Sequence, residues 1–395
     1  MGARSLAWMR VAPTLRAAAV YLALAFVVLI VAPAAFAADT ISAYGINALQ
    51  SEWLAGYNGG PGLDTNGVAD LGLMGSNGIK LYRARFREDQ VLTSDGFTQW
   101  TMQDNLVRQA ALRDVTLLPI FMNMPGESYT PPKSSADIDR FASFAAAAAR
   151  RYGPNGSFWP TCDCTQHPVR AWQVWNEENV SPYWNTPSPS EYAALLTATR
   201  SALRSVDRGA RIVFGSLAYP ASTSATALEP NSFLRSVIGA AGRNSFDALA
   251  VDSYNHDATA AVNTDITGTV NTLKKYAGKG SGGAPRQQVW VTEFGKPTTP
   301  DDPGTTVDEL AASEQSQLDW ENSFLTNLLP KRAAWNLGPL LWYCLRDAPS
   351  PTAAWMRLGL RLTQSNGSDA GPKPAWDAYV SRTSAATPLP LPVAR

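Results

Sequence analysis

The feature that most constrains this chain is a repeated alternation. From residue 41 onward, short runs rich in β-branched and aromatic residues take turns with stretches of helical apolar spacing, and Gly, Pro, Asn and Ser punctuate the turns. Eight runs read as strands: ISAYGIN (41–47), IKLYRARF (79–86), VTLLPIF (115–121), VRAWQVW (169–175), RIVFGSL (211–217), FDALAVD (246–252), QVWVTEF (288–294) and PLLWYCL (339–345). Between them, stretches such as QWTMQDNLVRQAALRD, DIDRFASFAAAAARRY and SEYAALLTATRSALRSV carry helical spacing. Eight such units over about 350 residues predict a single-domain (β/α)8 TIM barrel, spanning residues 38–383, with some enlarged loops. A doubly wound open sheet gives no reason for eight units, and the first βα unit lacks the Gly-x-Gly-x-x-Gly fingerprint of nucleotide binding.

Both ends fall outside that pattern. Arg4, Arg10 and Arg16 precede AAAVYLALAFVVLIVAPAA, and Ala35-Phe36-Ala37 supplies a small-x-small cleavage site. Residues 1–37 therefore read as a signal peptide and the protein as secreted, with cell-envelope association an alternative. The rival is an uncleaved anchor, because the apolar stretch approaches the roughly 20 residues that span a bilayer. After cleavage no stable membrane insertion is expected. The tail over 384–395, within TSAATPLPLPVAR, is Pro-rich and apolar and is expected to be disordered.

The 33 basic and 33 acidic residues balance, which argues against a nucleic-acid partner. Three cysteines cannot make a disulfide framework. Cys162 and Cys164 lie in TCDCTQH, where a small ring is one reading; with His167 they give only incomplete zinc ligation. Cys344 reads as a small core residue. The insertion RYGPNGSFWPTCDCTQHP (151–168) enters at the N-terminal end of the fourth strand, the face of a barrel that serves stability.

Catalytic groups in such a barrel stand at the C-terminal ends of strands. Glu177 lies just past the fourth strand in AWQVWNEENV, and Glu293 ends the seventh in VWVTEFG. Two carboxylates facing each other across a barrel mouth can flank a glycosidic bond, one protonating the leaving oxygen and the other attacking or stabilising the anomeric carbon. An apolar wall such as Trp175 would keep the acid protonated. Glu178 is expected to point to solvent or to cap the following helix.

WNEEN resembles the Trp-Asn-Glu-Pro-Asn signature of the clan A glycoside hydrolases, retaining (β/α)8 enzymes of the cellulase-like and β-xylosidase-like families. Thr292-Glu293-Phe294-Gly295 is similar to their seventh-strand motif, and RYGPNGSFW and GLRLTQSNGSDAGPKPAWDAYV extend the likeness over nearly the whole mature chain. The resemblance implies Glu177 as acid/base, Glu293 as nucleophile, and Asn176 as a hydrogen-bond partner of the substrate 2-hydroxyl. An Arg on strand two would hold the nucleophile ionised; Arg83 fits that position better than Arg85, and either has a structural alternative in Glu88 or Asp89. Trp342 would be a sugar platform and Tyr254 a partner of the nucleophile, with Tyr183, Trp184 and Tyr219 as weaker candidates for outer subsites.

Two departures stand out. Glu178 replaces the signature proline, and Asp252-Ser253-Tyr254 stands where the clan has His-x-Tyr. The expectation is a secreted retaining glycosidase of β-linked oligo- or polysaccharides, requiring no metal or organic cofactor, its carboxylates about 5–5.5 Å apart. A transglycosylase of envelope glycans and a non-hydrolytic carbohydrate-binding barrel are the alternatives. A Ser-His triad has only His167 and His256 to draw on and no Gly-x-Ser-x-Gly.

Overall fold

In a computed structural model the chain is described over residues 39–48, 64–123, 129–181, 183–298, 313–349, 351 and 353–395. The expected signal peptide lies outside these residues, as do residues 49–63, 124–128 and 299–312.

Eight parallel strands close into a barrel, as the alternation predicts. They are β1 (Tyr44–Asn47), β2 (Leu81–Arg87), β3 (Thr116–Met122), β4 (Ala171–Val174), β5 (Arg211–Ala218), β6 (Ala248–Ser253), β7 (Gln288–Phe294) and β8 (Leu337–Tyr343). Each pairs with the next, and β8 closes on β1. Each strand is followed by a principal helix: α1 (Thr65–Ser76), α2 (Thr101–Ala111), α3 (Ser135–Tyr152), α4 (Pro189–Val206), α5 (Pro230–Ala241), α6 (Thr267–Tyr276), α7 (Glu314–Leu328) and α8 (Pro374–Ala385). Local sequence sets the helix starts. At α4 the Ser188 side chain accepts from the Glu191 N–H and Pro189 takes the first turn, where its missing N–H costs nothing. Among the described residues no helix is long and apolar enough to cross a membrane.

Period-2 alternation divides each strand between two cores. Outward residues such as Phe121, Trp172, Phe214, Val291 and Phe294 join the helices in one large apolar layer. Inward residues Leu81, Leu118, Ala171, Val213, Ala248, Trp290 and Leu341 fill the lower barrel. Trp290 fits only because β8 offers Gly338 there, where a Cβ would sit 2.3 Å from the indole. Any larger residue at 338 must displace a fully buried Trp, a side chain whose burial contributes several kcal/mol (roughly 3–5 kcal/mol on truncation).

Two breaks in alternation aim the upper barrel. In β7 the register against β6 shifts between Val291 and Glu293, so Thr292 and Glu293 both reach inward partners. In β5 a shift between Phe214 and Ser216 brings Ser216 inside. Such irregularities re-aim side chains next to active sites.

The tail is ordered, against expectation. Thr40–Ile41 pairs antiparallel with Leu389–Pro390, Leu391 N–H donates to the Asp39 carbonyl at 2.8 Å, and Arg395 N–H donates to Asp247 Oδ1 at 2.8 Å. Leu389 and Leu391 pack on the lower barrel core. Alternating Leu and Pro make an extended segment with one apolar face, and the open end of the barrel gives that face somewhere to bury. Cys162 and Cys164 are disulfide-bonded.

Candidate active site

The turn at the end of β4 explains why a core strand ends on Trp-Asn-Glu-Glu-Asn. Trp175 and Glu177 both adopt left-handed φ, +73° and +46°, uncommon and costly for residues with a Cβ. The first inversion turns Trp175 outward, onto Phe141 and Trp184, with its indole N–H donated to the Tyr183 carbonyl at 3.0 Å. Asn176 is thereby left pointing into the barrel, where its Oδ1 accepts from Arg83 Nη2 at 2.7 Å and Ser216 Oγ at 3.0 Å. The amide group of Asn176 then remains as a donor toward the mouth. Asn179, the last residue of the motif, clamps the loop to β5. Its Nδ2 donates to the Ala218 and Leu228 carbonyls, and its Oδ1 accepts the Ala218 N–H.

Glu293, 8% exposed, accepts on both oxygens: from Arg83 Nη1 at 2.6 Å on Oε1, and from the Tyr254 hydroxyl at 2.5 Å on Oε2. Arg83 is itself fixed by its Nε–H, which donates to Gln173 Oε1 at 2.7 Å. Of the two arginines considered, Arg83 therefore holds the nucleophile candidate. Its structural alternatives are taken by others, Glu88 by Arg140 and Asp89 by Arg87.

One oxygen each from Glu177, Asp252 and Glu293 lie within 4.8 Å of one another. Burial, then the charge of Glu293, pushes the Glu177 carboxyl well above the ordinary carboxylate range. Burial and Glu293 do the same to Asp252. Three carboxylates at this spacing are also a donor set for a cation, but Arg83 and Tyr254 already occupy both oxygens of Glu293.

The barrel thus gathers Glu177, Glu293, Asn176, Arg83 and Tyr254 in one place. Trp342 is not among them. It is fully buried on the outer face of β8, against Phe294, Trp320 and Tyr379, with its indole N–H donated to the Leu358 carbonyl at 2.8 Å. The reason is phase: Leu341 points inward, so Tyr343 shares its face and Trp342 cannot. Tyr343 instead stands edge-on to Tyr254, ring centroids 6.2 Å apart, and senses the charge of Glu293. Tyr129 packs against Tyr183, ring centroids 4.7 Å apart and planes tilted by 43°, and both phenols are pushed up by burial and feel Glu177 and Glu293. Among the described residues, tyrosines line this part of the mouth. Trp184 is a core residue whose indole N–H bonds Glu191, and Tyr219 shares a hydrogen bond with Thr269. Sequence reasoning missed Tyr129 and Tyr343, and it noticed Asp252 only as a departure; the inward phase of Leu341 and Ala250 was the available signal for Tyr343 and Asp252.

Glu178 also departs from expectation. It is fully buried, neither solvated nor a helix cap, and neither carboxyl oxygen has a hydrogen-bond partner among the described residues. Its side chain fills the space that Gly215 leaves: a Cβ at 215 would lie 2.1 Å from Glu178 Oε2. Burial holds this carboxyl well above its ordinary range.

No family model matches the chain, and no curated protein matches it. Solved structures do. A GH53 catalytic domain from Ignisphaera aggregans is 16% identical, with a TM-score of 0.56 over 85% of this chain and 95% of its own. A monomeric β-xylosidase from Caulobacter crescentus is 16% identical, with a TM-score of 0.60 over 89% and 70%. A family 51 α-L-arabinofuranosidase from Bifidobacterium longum is 12% identical, with a TM-score of 0.56 over 88% and 74%. At such identities the likeness is one of fold: this chain shares the (β/α)8 barrel of these clan A glycoside hydrolases.

Proposed function

We propose that the protein is an exported retaining glycoside hydrolase of β-linked glycans. The observation that carries this reading is the pairing of Glu177 and Glu293 at the tips of β4 and β7, an oxygen of each within 4.8 Å of the other. Oxygens this close suit direct attack through a covalent intermediate, for which the carboxyl groups stand about 5–5.5 Å apart, better than an inverting arrangement, for which they stand about 6.5–9.5 Å apart. Their surroundings differ in the required sense. Glu293 accepts two hydrogen bonds and suits a nucleophile, while burial and a neighbouring charge keep a proton on Glu177.

In the first step Glu177 gives its proton to the glycosidic oxygen as Glu293 Oε attacks the anomeric carbon, forming a glycosyl ester and releasing the leaving sugar. In the second, Glu177 takes a proton from water, whose oxygen displaces Glu293. Asn176, fixed by Arg83 and Ser216, donates its amide toward the sugar 2-hydroxyl, and the tyrosines offer ring faces to its C–H groups. Export rests on the N-terminal segment, and β-linkage on the sequence resemblance.

The test is reducing-sugar release by the mature protein across β-glycans and arabinans, beside Glu293→Gln. Activity that collapses by about 10³-fold or more in the variant, with retention of anomeric configuration in the first-formed product, is expected. Unchanged release by Glu293→Gln would remove Glu293 from the mechanism. Transfer to an added sugar acceptor in place of hydrolysis would make the enzyme a transglycosylase.

A further inference from the structure

Asp252 is a buried acid at the barrel mouth that a two-carboxylate mechanism does not use. It lies in β6 two residues before Tyr254 and is 2% exposed. Thr292 Oγ1 donates to its Oδ1 at 2.7 Å, Ser216 stands beside the carboxyl, and among the described residues Oδ2 is buried without a well-formed hydrogen bond. Among the described residues, the groups that face it are Glu177 and Glu178 from the end of β4, Ser216 from β5 and Tyr219 just past it, Glu293 from β7, Arg83 from β2, and Tyr254 just past the end of its own strand. Arg83 is the one cation in that set, and its guanidinium is committed to Glu293, Asn176 and Gln173.

Three carboxyls within 4.8 Å of one another, served by one guanidinium, cannot all ionise. The guanidinium and a phenol hydroxyl serve Glu293, so one negative charge and one proton are left to divide between Glu177 and Asp252. The geometry points to a role for the second of these. We propose that Asp252 is a positioning residue for the acid: it shares negative charge with Glu177 as a coupled pair, so that ionising one carboxyl holds the proton on the other. The inference deepens the reading of Glu177 as the proton donor and rests on it. Being too buried to touch a substrate, Asp252 acts only through its neighbour.

The experiment reads Glu177 directly, whether or not a substrate is known. Protein labelled with ¹³C at the glutamate carboxyls is titrated by NMR, and the Glu177 resonance is assigned by its loss in Glu177→Gln. In Asp252→Asn the Glu177 midpoint falls by about one pH unit, the scale on which a neighbouring charge moves a carboxyl. Thr292→Val removes the hydroxyl that supports ionised Asp252 with little change of shape, and shifts the midpoint the same way by less. Should Asp252→Asn fail to fold, this milder variant carries the test. A Glu177 midpoint that stays in place in whichever variant folds overturns the inference. On a cleaved glycan, the alkaline limb of kcat/KM moves with the midpoint, an effect that altered packing alone would not produce. A lowered midpoint in a protein that cleaves no glycan keeps the charge coupling and sinks the hydrolase reading.

Discussion

At the scale of single residues, Arg83 organises the site. Its three nitrogens hold Gln173, Glu293 and Asn176 at 2.6–2.7 Å, so one planar group fixes both the nucleophile candidate and the residue aimed at the 2-hydroxyl. A lysine ammonium is a point charge and cannot reproduce that fork. Arg83→Lys is therefore expected to stay folded and to lose about 10²-fold in kcat/KM, since a hydrogen bond to a charged group contributes about 1.5–3 kcal/mol and each 1.36 kcal/mol is tenfold in rate. Steady-state kinetics beside circular dichroism would check this, and a variant of full activity would deny Arg83 a part. Much of the site was legible because its residues other than Arg83 sit in motifs at strand tips, while Arg83 lies within β2. Glu177, Glu293, Asn176, Arg83 and Tyr254 all meet where those motifs converge. Trp342 and Tyr343 were not legible for a physical reason. Adjacent strand residues face opposite ways, and the sequence PLLWYCL does not say which face is inside until Leu341 is known to fill the barrel.

At the scale of elements, strand existence was easier to read than strand tips. The run ISAYGIN was one strand on its pattern, yet it divides into Thr40–Ile41, which pairs with the tail, and Tyr44–Asn47, which joins the barrel. The β4 tip shows why tips resist reading: two left-handed residues there cancel the alternation on which any pattern argument rests. Glu178 belongs to the same turn, and its burial has a consequence for stability. Its carboxyl is neutral in the fold over a range where the unfolded chain has it ionised. The unfolded state then binds fewer protons, so this contribution is fully present below the ordinary glutamate range and is lost as pH rises through the raised folded value. Glu178→Gln keeps the shape and has no charge to lose. Thermal unfolding should find the variant more stable than wild type at pH 8, by about 1 kcal/mol or more, and no better at pH 4. A stability difference that does not change with pH would mean that Glu178 does not titrate in this window.

At the scale of the whole molecule, the two ends of the barrel are finished by different parts of the chain. The C-terminal mouth carries the carboxylates and tyrosines. The opposite end is lined by small or branched residues, among them Ala171, Val213 and Ala248, which leave the barrel interior uncovered by their own strands. The last nine residues cover it. Leu389 and Leu391 pack on that layer, Arg211 Nε–H and Gln288 Nε2–H donate to the Pro392 and Pro390 carbonyls, and the Arg395 N–H reaches Asp247. Prolines at 388, 390 and 392 suit this strand, because an edge segment needs only the N–H groups of the residues between them, and Leu391 supplies one to Asp39. Composition alone made the segment look unstructured; the missing information was an apolar surface more than a hundred residues away. Deleting residues 387–395 should therefore act on stability and not on chemistry. Two partly buried leucines and several backbone acceptors are worth about 2–4 kcal/mol together, which at roughly 2–4 °C per kcal/mol predicts a fall in Tm of several degrees or more. KM should be unchanged, because the deletion lies at the far end of the barrel from Glu177 and Glu293. A Tm equal to that of the full chain would mean that the tail merely rests on the barrel; a raised KM would mean that the two ends are coupled through the strands between them.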